Sequence, residues 1–174
     1  KDFMARVEGV RAATLMAHAF NDWNVMPEHS VRVYEALKAR GVPVMAYFHQ
    51  GGHGGAPPLE LMNRWFTRYL YGVENGVEEL PRARIVREGD ERSAPTPYPD
   101  YPNPETASAT LHLHPGGEAT GGVSPTPSPE AGVEALRDDV SLDGRALATT
   151  PRGEGHRLLY VTPELTEDVH ISGT

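Results

Sequence analysis

The stretch Ala12-Ala13-Thr14-Leu15-Met16-Ala17-His18-Ala19-Phe20 decides how this chain is read. It is a nearly continuous apolar run, the pattern of a strand buried on both faces. A short polar turn follows, and then residues 28–40. There Val31, Tyr34 and Leu37 recur at helical spacing while charged residues fill the other face. Gly41 stops that helix. Residues 42–48 (Val-Pro-Val-Met-Ala-Tyr-Phe) form a second apolar strand, with Pro43 near its start, where a missing donor is tolerated. Pro57 and Pro58 open a second helix with Leu59, Met62, Trp65, Phe66, Tyr69 and Leu70 on its buried side. Strand, helix, strand, helix with short connections predicts parallel strands joined by crossovers.

Composition bounds the rest. The chain has 174 residues, 39% of them hydrophobic and 23% charged, which excludes a disordered chain and a membrane-embedded one. Net charge is −8, which argues against nucleic-acid or acidic-membrane partners. No apolar stretch is long enough to span a bilayer. There is no cysteine, so disulfides, thiolate catalysis and zinc–thiolate sites are excluded. The abundance of Ala, Pro, Gly and Arg fits a GC-rich bacterial gene, its product secreted or cytoplasmic. The chain begins at Lys1, shows no signal-peptide pattern, and ends in residues that read as a strand. A segment of a longer protein is therefore expected, with a processed small protein as the alternative.

In parallel α/β sheets ligands bind beyond the carboxyl ends of the strands. Two loops lie there. One holds Asn21-Asp22-Trp23-Asn24-Val25. The other holds His49-Gln50-Gly51-Gly52-His53-Gly54-Gly55. If the strands are neighbours, Asp22 and His53 meet at one sheet edge. A carboxylate on a histidine fixes the imidazole tautomer and stabilises the imidazolium during acyl transfer. Acid before histidine is the α/β-hydrolase order, with a serine upstream of both. His49, at the end of its strand, is read as packed behind the site, and His18 as a satisfied core histidine. Asn24 is placed to accept a hydrogen bond from a substrate's amino terminus, or serves as a turn residue. Trp23 walls the pocket or packs.

These motifs resemble the Xaa-Pro dipeptidyl-peptidase family. The Asn-Asp-Trp-Asn-Val and Gly-Gly-His-Gly-Gly strings are similar to that family's acid and histidine loops, and residues 158–174 resemble the opening of its second domain. The resemblance implies a serine exopeptidase with an α/β-hydrolase catalytic domain and a C-terminal jelly roll. It makes Asp22 the triad acid and His53 the base, and implies no cofactor. Its partner is a peptide with proline at the second position, and a homo-oligomer is compatible with it. Residues 1–80 are then the C-terminal part of the hydrolase domain, and 81–174 a linker and partial β-sandwich. Cocaine-esterase-like and glutaryl-acylase-like enzymes look similar in the same loops, and a non-catalytic binding module is the alternative of another class. The nucleophile elbow, Gly-x-Ser-x-Gly, is missing: none of Ser30, Ser93, Ser108, Ser124, Ser128, Ser141 and Ser172 has that context. This segment alone is therefore expected to be inactive.

The remaining residues read as extended and strand-rich. Residues 83–87 form a short strand, and residues 95–104 a proline-stiffened strap between two domains rather than an SH3-type ligand. Residues 110–114, 158–161 and 169–171 read as short strands, residues 118–132 as a loop, and no helical periodicity is evident. No metal site is expected. His49 and His53 flank a glycine turn rather than a helix face, and the His112/His114 pair has no carboxylate motif beside it.

Overall fold

The computed structural model describes residues 4–129, 132–151 and 154–173. Residues 130 and 131 of the expected loop, and Thr174 at the end of the last motif, lie outside the described residues. The chain divides into two compact units, residues 1–106 with 172–174, and residues 107–171.

The first unit is α/β. Its elements run β1 (Thr14–Ala19), α1 (Pro27–Ala39), β2 (Val44–His49), α2 (Leu59–Tyr71), β3 (Ala83–Ile85) and β4 (Thr96–Tyr98). The strands form one sheet in the order β1-β2-β3-β4. β1, β2 and β3 are parallel, as the alternation of strand and helix predicts, and β4 closes the edge antiparallel to β3. Every residue of β2 is buried. Its side chains alternate between the two faces. Val44, Ala46 and Phe48 pack with Val31, Tyr34 and Leu37 of α1. Met45 packs with Leu61 and Trp65 of α2 and with Val77. Apolar partners on both faces are the reason β2 reads as an unbroken hydrophobic run.

Three expectations need correction here. The apolar run of β1 predicts burial on both faces, but β1 stands at the edge of this sheet, mostly half-buried, with Ala17 exposed. On α2, the buried stripe is Leu61 and Trp65, with Tyr69 packed against Trp65. Leu59, Phe66 and Leu70 are exposed, because the helix carries two apolar stripes and the i, i+4 row from Leu61 meets the sheet. Residues 95–104 supply β4 and then a buried anchor within the first unit. Tyr101 packs edge-on against Phe48 at 4.9 Å between ring centroids, and its hydroxyl donates to the Gly173 carbonyl.

The second unit is β-rich. β5 (His112–Pro115) and β6 (Thr120–Ser124) form an antiparallel hairpin, and β7 (Leu159–Val161) pairs parallel to β6. β6 lies where composition predicts a loop. Its Thr-Gly-Gly-Val-Ser sequence has little strand propensity, but Gly121 accepts the close approach of the His114 carbonyl that a side chain there would block. The short helix α3 (Gly144–Thr149) also escapes periodicity; its signal is Asp143, whose carboxylate accepts from the Ala146 amide at 2.8 Å. Residues 169–171, read from sequence as a strand, pair with no other strand among the described residues.

Asp100 ties the segment after β4 to α1. It accepts from the Tyr34 hydroxyl at 2.5 Å, from Lys38 Nζ at 2.9 Å and from the Tyr101 amide at 2.7 Å. Burial raises its pKa, but these donors outweigh burial and hold the carboxyl below its ordinary value. Its folded pKa is thus below the unfolded one, so its contribution is complete at neutral pH and fades as pH falls below about 4. Asp100→Ala strands the buried Tyr34 hydroxyl and is expected to cost about 1–3 kcal/mol at pH 7. Urea unfolding at pH 7 and pH 3 checks this: the difference from wild type should shrink at the lower pH.

Candidate active site

The site follows from strand register. Ala19 of β1 pairs with His49 of β2, so both strands end at the same level. The pairing continues past the strands. The Phe20 amide donates to the His49 carbonyl at 2.7 Å, and Asn21 Nδ2 to the Gln50 carbonyl at 2.8 Å. Asp22 and His53 therefore leave adjacent strand ends, three and four residues on. They meet: His53 Nδ1 lies 2.9 Å from Asp22 Oδ2.

Asp22 is nearly buried, at 8% exposure. Its Oδ1 accepts from the amides of Asn24 (2.9 Å) and Val25 (3.0 Å), so the side chain also closes its own turn. Its Oδ2 faces His53 and, at 3.3 Å, His18 Nε2. Burial raises the Asp22 pKa. The Val25 amide, His53 and the Asn24 amide lower it by more, to about 2. Asp22 is thus an anion throughout the neutral range. His53 turns the opposite way: its side chain is 62% exposed. With Nδ1–H donated to the carboxylate, Nε2 is left as the free, basic nitrogen.

His49 is fully buried under this loop, as the sequence predicts. The Gly51 amide donates to its Nδ1 at 3.0 Å, which assigns the proton to Nε2. Burial, then the nearby Arg92 charge, lower its pKa, with the Gly55 backbone acting the other way. A neutral imidazole results. Gly55 crosses directly over this ring at φ +121; a Cβ there would stand 2.6 Å from His49 Nε2. The glycines therefore serve a definite need: the loop folds tightly over a buried ring.

Trp23 is 69% exposed, so it does not pack into the core of this chain. The Asn24 side chain is exposed, and the turn uses its backbone amide. His18 is satisfied, as expected, through the Ser30 hydroxyl on Nδ1 and the Val25 carbonyl on Nε2. Its closeness to Asp22 went unread, although the spacing of four residues across a strand end is a usable signal. Arg92 also went unread. It lies far along the chain from the glycine loop and carries no local pattern. Among the described residues no cluster of three or more histidine or acidic side chains forms a metal site, and no helix is long and apolar enough to cross a membrane.

The sequence profile of the X-Pro dipeptidyl-peptidase (S15) family matches residues 1–55. That of the X-Pro dipeptidyl-peptidase C-terminal non-catalytic domain matches residues 75–174. A provisionally named Xaa-Pro dipeptidyl-peptidase of Rhodopirellula baltica is 55% identical over the whole chain, and one of Bacillus anthracis 29%. The Xaa-Pro dipeptidyl-peptidase of Lacticaseibacillus rhamnosus is 27% identical over 63% of the chain. The chain spans 28%, 29% and 15% of the lengths of these three relatives. Profiles covering both ends of the chain, together with a relative alike along all of it, agree on one assignment: the chain belongs to the X-Pro dipeptidyl-peptidase family.

Proposed function

We propose that this chain supplies the acid and the base of a serine exopeptidase that releases Xaa-Pro dipeptides from peptide amino termini. In this reading the first unit is the C-terminal part of an α/β-hydrolase domain. The remainder of the chain, residues 107–171, is the start of a jelly-roll domain, joined to it by the segment that follows residue 80. The observation that carries the reading is the 2.9 Å contact of His53 Nδ1 with the ionised Asp22, within residues that match the peptidase family.

The chemistry follows from that contact. His53 Nε2 takes the proton of a serine hydroxyl supplied by residues beyond this chain. Serine Oγ then attacks the carbonyl carbon of the substrate's proline. As the C–N bond breaks, Nε2 returns the proton to the leaving amine, and water hydrolyses the acyl-enzyme by the same route. Asp22 holds the Nδ1–H tautomer and offsets the positive charge that His53 carries between the transfers. Asn24, exposed on the turn beside the dyad, is the proposed contact for the substrate's amino end, and the exposed Trp23 the proposed wall of the pocket.

The full-length protein containing these residues should cleave Ala-Pro-p-nitroanilide. His53→Ala should lower kcat by roughly 10⁴-fold or more, and Asp22→Asn by about 10⁴-fold, with KM changed far less. Turnover of a folded His53→Ala protein within tenfold of wild type contradicts the assignment. Cleavage of a simple ester but not of the anilide moves the activity to the esterase class.

Gly55→Ala tests the loop. Its Cβ meets the Arg92 guanidinium and, behind it, the buried His49 ring, at a positive φ that a side chain strains. Arg92 can swing away but the ring is packed, so the loop is expected to shift and carry His53 with it. A displacement approaching 1 Å costs on the order of 10²-fold in rate. Steady-state kinetics should show the loss in kcat, and wild-type kcat would mean that the His49 ring yields instead. The 174-residue chain alone, lacking the elbow serine, is expected to give no turnover in the same assay.

A further inference from the structure

We infer that His18 is a positioning residue for the triad acid, acting through a chain that links α1 to the dyad: Ser30–His18–Asp22–His53. The inference rests on the reading of Asp22 and His53 given above. The side chain of His18 is 9% exposed and that of Asp22 is 5% exposed. Ser30 Oγ, in the first turn of α1, lies 2.5 Å from His18 Nδ1. His18 Nε2 faces acceptors only: the Val25 carbonyl at 2.9 Å and Asp22 Oδ2 at 3.3 Å. Nε2 therefore carries the proton, and the Ser30 hydroxyl can donate into Nδ1.

This geometry grips the acid from two sides. Val25 gives its amide to Asp22 Oδ1 and its carbonyl to His18. The Asp22 turn is thus fastened to β1 at one end of the imidazole and to α1 at the other. The Nε2–H dipole also points at the carboxylate oxygen that receives His53. Two imidazoles on one oxygen divide its hydrogen-bonding capacity. His18 therefore fixes the Asp22 rotamer and moderates how strongly Asp22 holds protonated His53. The titratable groups around His18 are Asp22 on the turn, His53 on the glycine loop and His49 on β2, and α1 contributes the Ser30 hydroxyl. A satisfied core histidine with no further role would need neither the approach to Oδ2 nor the shared Val25 peptide.

The test uses the full-length protein, with His18→Leu, His18→Gln, Ser30→Ala and His53→Ala compared in kcat, KM, thermal midpoint and the pH profile of kcat/KM. Leucine removes both ring nitrogens. It should lower kcat about 10–100-fold with KM within about threefold, through misplacement of the acid. It should also move the acid limb to higher pH, because a carboxylate that loses a donor attracts the imidazolium of His53 more strongly. Glutamine puts an amide donor where Nε2 sits and should restore kcat to within a few-fold and the limb to its wild-type position. Ser30→Ala should cost about threefold in kcat, the scale of one modest hydrogen bond. Wild-type kcat and an unmoved acid limb in a folded His18→Leu protein overturn the inference. So does a fall in thermal midpoint with the limb unmoved, which is the mark of packing alone. If His18→Leu does not fold, Ser30→Ala and His18→Gln decide: the inference fails if Ser30→Ala keeps wild-type kcat or glutamine does not hold the limb in place. Retained activity in His53→Ala is a separate result, since it removes the triad reading and not the His18–Asp22 contact.

Discussion

Parallel pairing of Ala19 with His49 sets the level at which two strands end, and the site is a consequence of that level. A slip of one residue would turn every β1 side chain to the opposite face of the sheet. It would also draw the acid turn away from the glycine loop by about 3.3 Å. The register is held by the buried β2 core and extended past the strands by the Phe20 amide and the Asn21 side chain. The dyad contact is long-range in sequence, 31 residues apart, yet short-range in topology. It needs only two adjacent strands of matched length.

The second constraint is electrostatic. A carboxylate taken out of water is costly unless its lone pairs are occupied. Asp22 is nearly buried and still ionised because two backbone amides and two imidazoles face it. The same donors fix its orientation. Solvation of the charge and orientation of the His53 ring are therefore achieved by one set of contacts. The buried neutral ring of His49 complements this from below by giving the glycine loop a rigid floor. The proposed proton transfer needs a base held in place, and these contacts are what hold His53 on its glycine-rich loop.

Much of this was legible in the residues. The unbroken apolar run of β2, the Val31-Tyr34-Leu37 stripe of α1, and the two loops with their acid and histidine all express local rules of period and turn chemistry. The failures share a cause. Which stripe of α2 is buried depends on where the sheet lies, and both Leu61/Trp65 and Leu59/Phe66/Leu70 satisfy helical spacing. β6 forms from glycine-rich residues because a hairpin partner and β7 accept it, not because of its own propensity. The nearness of Arg92 to the glycine loop is tertiary in origin. Composition contains no trace of it.

The central claim is that His53, held by Asp22, activates a serine beyond this chain. The direct measurement is intact-mass analysis of the full-length protein after treatment with a fluorophosphonate. Serine Oγ displaces fluoride from phosphorus, and the departing hydroxyl proton passes through the imidazole. The account predicts one phosphonyl adduct per protein, on a serine outside these 174 residues, and its loss in His53→Ala. Labelling of the folded protein that is absent, or that proceeds equally well without His53, would contradict it.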